Sequence, residues 1–126
     1  MIKYSSMQTY RKEVEDSREI ILEIVREIPF GRVAILKRIS EVAGLGHRTN
    51  IVRDVLFNPV PVAEVPWHRI VKTNGELIFP YYCRAYVRQL KLLKTEGIRF
   101  KSGRLVDLSV HDYDFSDYKA RNKTSI

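Results

Sequence analysis

Val65-Pro66-Trp67-His68-Arg69-Ile70-Val71 is apolar at both ends and carries an indole, an imidazole and a guanidinium in its middle. Val60 to Val65, with Pro61 inside it, reads as an extended connector leading into this run. Just before the connector, Asn58-Pro59 is a strong helix stop. Upstream of that stop, Ile51, Val52, Val55 and Leu56 recur at helical spacing, so a helix is expected over Thr49 to Phe57. Arg48, Asn50, Arg53 and Asp54 are left on its outer face. Gly44-Leu45-Gly46 precedes it and allows a sharp turn after an earlier helix. That earlier helix is expected over Val33 to Ala43, with Ile35, Leu36, Ile39 and Val42 apolar. Helix, glycine turn and short helix with a polar outer face form the helix-turn-helix pattern. Two amphipathic helices also pair for structural reasons alone, so the pattern needs support from elsewhere in the chain.

Working further outward, Ser17 is a good N-cap and Ile20, Ile21, Ile24, Val25 and Ile28 form one stripe, which predicts a helix over Arg18 to Ile28. Pro29-Phe30-Gly31-Arg32 breaks it. Residues 1–16 are polar and mixed in charge and read as a loosely held arm. Downstream, Ile70-Val71 and Glu76 to Phe79 are expected as two short strands around Asn74-Gly75, whose residues tolerate positive φ. A last helix is expected over Arg84 to Glu96, with Tyr86, Leu90 and Leu93 on one face and Arg84, Arg88, Lys91 and Lys94 on another. Gly97 is its C-cap. Ile98 to Val106, turning at Ser102-Gly103, reads as a hairpin wing. The tail from Val110 holds Tyr113, Phe115 and Tyr118 among acids and then Lys119, Arg121 and Lys123. Docking by its aromatics and disorder are both open. The expected organisation is an arm over 1–16, one domain over 17–109 and a tail over 110–126. The expected fold is an α/β winged helix-turn-helix domain, mostly helical with short β-hairpins.

The 126 residues carry a formal charge of +7 and a pI near 9.7, which favours a polyanionic partner with strong salt dependence. No run of about 18 apolar residues exists, so no membrane span is expected. The N-terminus lacks a secretory apolar core. The expected location is cytoplasmic: on the nucleoid, or nuclear in a eukaryote. The one cysteine, Cys83, excludes an internal disulfide. His47, His68 and His111 are too far apart to suggest ligand spacing, and neither a metal nor a cofactor is expected.

The helix-turn-helix pattern, Asn58-Pro59, the Pro66-Trp67-His68-Arg69 run and the helix ending in Glu96-Gly97 together resemble the DNA-binding domain of the O6-alkylguanine-DNA alkyltransferases. The resemblance covers roughly Glu19 to Leu108. That family reads Pro-Cys-His-Arg at its active site, and Trp67 stands where it keeps the alkyl-accepting cysteine. The closer resemblance is to the alkyltransferase-like proteins, a non-enzymatic branch with tryptophan there. It implies a pocket of Pro66, Trp67, His68 and Arg69 that receives an O6-alkylguanine turned out of double-stranded DNA. Asn58 matches a residue bracing the loop beneath, and Glu96 matches the acid bonded to the histidine. It also implies a role in flagging lesions for nucleotide excision repair proteins.

The chemistry follows from the side chains. A thiolate takes an alkyl group; an indole has one N–H donor and no nucleophilic heteroatom. The chain is therefore not expected to be an enzyme. Cys83 could substitute only if the fold carried it into the pocket. Tryptophan can instead stack on a base, an interaction worth about 1–3 kcal/mol. The plainer alternative is that Trp67 is core and His68 a satisfied buried imidazole.

The resemblance breaks at several positions. The family inserts an arginine from the start of the recognition helix into the base stack. The matching position is Asn50, or Arg48 with a small shift of register. Leu36 stands where the family has a tyrosine that pushes on a phosphate, and Arg53 and Asp54 replace small residues that face the groove. DNA contacts are expected from Arg48, Thr49, Asn50, Arg53 and Leu36, with Lys37, Arg38 and Lys72 adding phosphate contacts. A DNA-binding module without lesion recognition, and an enzyme using Cys83, are the rival readings.

Overall fold

The computed structural model describes residues 4–58 and 60–122, with the side chains of Tyr4 and Ser5 left out. Pro59 of the expected helix stop, Lys123 of the tail and residues 1–3 of the expected arm lie outside the described residues. The first helix, α1, runs Tyr4–Arg26. It thus starts well before Ser17, and the expected loose arm is helical from Tyr4 onward. The reason is in the spacing: Met7, Tyr10 and Val14 follow one another by three- and four-residue steps and join the apolar stripe of Ile21, Ile24 and Ile28 two turns on, with no glycine or proline to interrupt it. Tyr10 and Val14 pack against the core.

After the Pro29–Arg32 break come β1 (Ala34–Ile35) and α2 (Leu36–Val42). The helix expected from Val33 starts three residues late because Val33 bonds the tail: its N–H donates to His111 O at 2.9 Å and its O accepts from Tyr113 N at 2.7 Å. α2 closes with paired glycine-turn bonds, Gly44 N–H to Glu41 O (3.0 Å) and Leu45 N–H to Ser40 O (2.9 Å). Gly44 takes φ +81°, which a side chain would strain. The buried Ser40 hydroxyl donates to Gly46 O at 2.7 Å and fixes the turn into α3, Thr49–Phe57.

A 3₁₀ turn (Trp67–Arg69) leads into β2 (Ile70–Val71). β2 pairs in parallel with β1, not with a strand at Glu76 to Phe79. That second strand is reduced to one antiparallel bridge, Val71 to Leu77, because the Ile78 N–H is taken by the Gln89 side chain at 3.2 Å. The Asn74-Gly75 turn does form, with Gly75 N–H to Lys72 O at 2.8 Å. Next come α4 (Arg84–Thr95) and a hairpin of β3 (Phe100–Lys101) and β4 (Leu105–Val106). Ser102 and Gly103 turn it at positive φ. The wing docks on the Asn74-Gly75 turn through Val106 N–H to Gly75 O at 2.9 Å.

α4 is not the last helix. α5 (Leu108–His111) and α6 (Ser116–Asn122) follow, and the tail docks by its aromatics. Phe115 is fully buried, and the Tyr118 hydroxyl donates to Glu23 at 2.9 Å. His111 joins three segments: its Nδ1 lies 3.0 Å from Gly31 O, and its Nε2 accepts from Arg99 N at 2.9 Å. The main core joins α1, α2, α3, the 3₁₀ turn and the tail, and a second cluster of Val33, Val71, Leu77, Leu93, Ile98 and Val106 lies under the wing. The result is the expected winged helix-turn-helix.

Candidate nucleic-acid interface

The Pro66–Arg69 run is held from three sides. Pro66 starts the 3₁₀ turn, with Arg69 N–H donating to its carbonyl at 3.0 Å. From α4, the buried Gln89 amide donates to His68 O (3.0 Å) and Ile70 O (2.8 Å) while its oxygen accepts from Ile78. One side chain thus serves three backbone groups on two segments, and buried polar groups of this kind need such partners.

The third support is Glu96. α4 ends in the same glycine turn as α2: Gly97 N–H to Lys94 O (3.0 Å) and Ile98 N–H to Leu93 O (3.1 Å), with Ile98 and Leu93 packed together. That fixes Glu96 at the helix C-terminus, where the helix dipole disfavours a carboxylate. Its side chain is 6% exposed. His68 Nε2 lies 2.7 Å from it, Arg69 donates by Nε and Nη2 at 2.9–3.1 Å, and the Gly31 N–H donates at 2.9 Å. Burial pushes the Glu96 carboxyl up, but the bonds from Arg69, His68 and Gly31 outweigh it and hold the group below the usual carboxylate range. Arg69 also donates to Ile28 O at 2.8 Å, in the segment that leaves α1. His68 and Arg69 are thus structural polar groups locking the motif between α1 and α4.

Trp67 is 4% exposed and meets Phe57, Phe79 and His68 edge to face, with centroids 6.4, 6.1 and 6.2 Å away. It is not sealed in. Trp67 lines a cleft of about 370 Å³ with Val60, Pro61, Ala63, Arg84, Ala85 and Arg88, a size ordinary for small-ligand sites. Arg84 and Arg88 have no acidic partner among the described residues. Cys83 is half-buried just before α4 and is not among the residues lining this cleft. Asn58 is exposed at the end of α3, and among the described residues no hydrogen bond reaches its side chain.

The outer face of α3 is divided. Thr49 and Arg53, one turn apart, line a second cleft of about 460 Å³ with Leu36, Lys37, Lys72, Thr73, Asn74 and Glu76. Three cations therefore converge there, and Leu36, 4% exposed, forms part of the wall. Asn50 and Asp54, on the neighbouring flank, are engaged by α1: Asn50 donates to the Tyr10 hydroxyl at 3.2 Å, and that hydroxyl donates to Asp54. Arg48 makes a two-pronged ion pair with Glu13, at 2.8 and 2.6 Å. Arg38 is not among the residues lining this cleft and pairs with Asp112 at 2.6 Å.

Residues 16–98 match the model of the 6-O-methylguanine DNA methyltransferase, DNA binding domain. The chain belongs to that family. Alkyltransferase-like protein 1 of Schizosaccharomyces pombe is 27% identical over 78 residues, which span 62% of this chain and 72% of that protein. The crystal structure of S. pombe Atl1 in complex with damaged DNA containing O6-carboxymethylguanine superposes with a TM-score of 0.67 at 22% identity, covering 79% of this chain and 95% of that one. That of S. pombe ATL in complex with DNA gives 0.63 at 24% identity, covering 76% and 91%. The fold of this family member is therefore theirs.

Sequence reasoning placed Trp67, His68, Arg69 and Glu96 together, and the structure brings them into one unit. It missed Gln89, although an amide between Tyr86 and Leu93 on an apolar helix face was the signal. It also missed Arg84 and Arg88 as cleft residues, and the α1 contacts on α3 entirely.

Proposed function

We propose that this family member binds double-stranded DNA and recognises an O6-alkylguanine turned out of the duplex into the cleft lined by Trp67, without taking the alkyl group. The observation that carries the reading is Trp67 among the residues lining a cleft, in a Pro-Trp-His-Arg run whose cysteine-bearing counterpart is the alkyl acceptor. An indole offers a flat apolar surface to a base and no thiolate. The cations at the cleft's edge, Arg84 and Arg88, and the set Lys37, Arg53 and Lys72 beside α3 supply the charge a duplex needs. A net charge of +7 and the DNA complexes of the S. pombe proteins of like fold support the same reading. Turning a base out costs a few kcal/mol of unstacking, least for a damaged base. A bound lesion then serves as a mark for nucleotide excision repair.

A second reading, a DNA-binding module indifferent to lesions, is favoured by the near-complete burial of Trp67 against Phe57 and Phe79. Incubation with a duplex holding one O6-methylguanine, followed by intact-protein mass spectrometry, tests the chemistry. The expected mass is unchanged; a gain of one methyl per chain refutes the non-enzymatic reading. Competition between that duplex and its undamaged counterpart separates the first reading from the second.

A further inference from the structure

The first turns of α1, before residue 16, lie outside the span that matches the family, yet they pack along the recognition helix. Glu13 grips Arg48 by both guanidinium arms, at 2.8 and 2.6 Å. Tyr10 bridges Asn50 and Asp54 one turn further along. Carboxylate and phosphate present the same fork to arginine, so Glu13 occupies Arg48 in the way a backbone phosphate would. Both side chains remain part-exposed, 45% for Arg48 and 39% for Glu13, so the pair is open to competition from solvent. The flank bearing Thr49, Arg53, Lys37 and Lys72 is left uncovered.

We infer that the first turns of α1 are an internal regulator of the DNA site, in which Glu13 stands in for a DNA phosphate and must release Arg48 before that arginine can engage a duplex. The inference rests on the DNA-binding reading above. Docked, the segment lowers affinity and leaves contact to the Lys37, Arg53 and Lys72 flank. Undocked, it frees one more cation at the start of α3. Tyr10 acts as the second latch, holding the same helix turn against Asn50 and Asp54.

The test is fluorescence anisotropy of a labelled duplex between 50 and 200 mM salt, with wild type, Glu13→Gln, Arg48→Ala and the double variant. Glu15→Gln, on the same helix, controls for loss of one negative charge. Relative to that control, Glu13→Gln should tighten binding about two- to fivefold, the range of an exposed ion pair. It should also steepen the log–log salt slope by about 0.9, one added phosphate. In the Arg48→Ala background the extra tightening should vanish. Glu13→Asp, which keeps the charge but shortens the reach, should also tighten binding and guards against a misfolded glutamine variant. Equal effects of Glu13→Gln and Glu15→Gln, or tightening that persists without Arg48, would overturn the inference while leaving DNA binding intact. If no chain, wild type included, binds duplex in a salt-dependent way, the DNA-binding reading itself falls and carries this inference with it.

Discussion

Replacing Glu96 by glutamine removes one charge from the junction of α1, the 3₁₀ turn and α4. The carboxylate is 6% exposed and serves Arg69, His68 and Gly31 at once, so its loss leaves the Arg69 cation, 17% exposed, without a counter-charge. Breaking one partner of a buried pair costs about 3–5 kcal/mol. Glutamine still accepts one or two of these bonds, and water reaches the edge of Arg69, so about 3 kcal/mol at neutral pH is expected. For a chain of this length that lowers Tm by about 12 °C. The sign of the pH dependence follows from the lowered Glu96 pKa. A carboxylate whose folded pKa lies below its unfolded one stabilises fully above the unfolded value, near 4.5, and loses that contribution as pH falls through the folded value. Urea melts of wild type and Glu96→Gln should therefore differ most at pH 7 and converge in acid. Equal stability at pH 7, or a gap as wide in acid as at neutrality, would refute the claim that Glu96 holds the motif by its charge.

Gly75→Ala should be among the most damaging small substitutions: Gly75 has φ +95°, and an added Cβ would lie 2.6 Å from Val106 O, so the wing must shift. Loss of about 2 kcal/mol or more by chemical denaturation is expected; a change under about 0.5 kcal/mol counts against the docked wing. Gln89→Leu removes the side-chain partner of the Ile78 N–H and of the His68 and Ile70 carbonyls, and a loss of about 1–3 kcal/mol is expected. Amide exchange at Ile78 should speed up in that variant, and unchanged protection would contradict the brace. Lys72→Ala and Arg53→Ala should each weaken damaged and undamaged duplex alike and lower the salt slope by about 0.9. A slope unmoved by either change would remove the second cleft from the interface.

What the sequence could reveal was set by distance along the chain. α3 was legible to the residue because its apolar positions, its glycine turn and its stop all lie within 44–59. The wing was legible from Ser102-Gly103 for the same reason. Tyr10 with Asp54, Glu13 with Arg48 and Val33 with His111 are separated by 35 to 78 positions, and no local pattern announces them. The extension of α1 was hidden because its stripe is thin, Met7, Tyr10 and Val14 among charges, and Ser17 supplied a credible false start. The strand expected at Glu76 to Phe79 failed because one amide, Gln89, took a backbone donor that a hairpin would have used. At the site, the Glu96 cluster was readable through the motif, whereas the opening beside Trp67 depends on where α4 places Arg84 and Arg88.

Trp67 is the sole tryptophan of the chain and one of the residues lining the cleft, so its fluorescence reports on that cleft. Titrating the protein with two duplexes that differ in a single O6-methylguanine, and reading that emission, addresses the cleft's role in one experiment. The damaged duplex should bind more tightly and quench the indole as the base stacks against it. Equal affinities with unaltered emission would mean that no base reaches the ring.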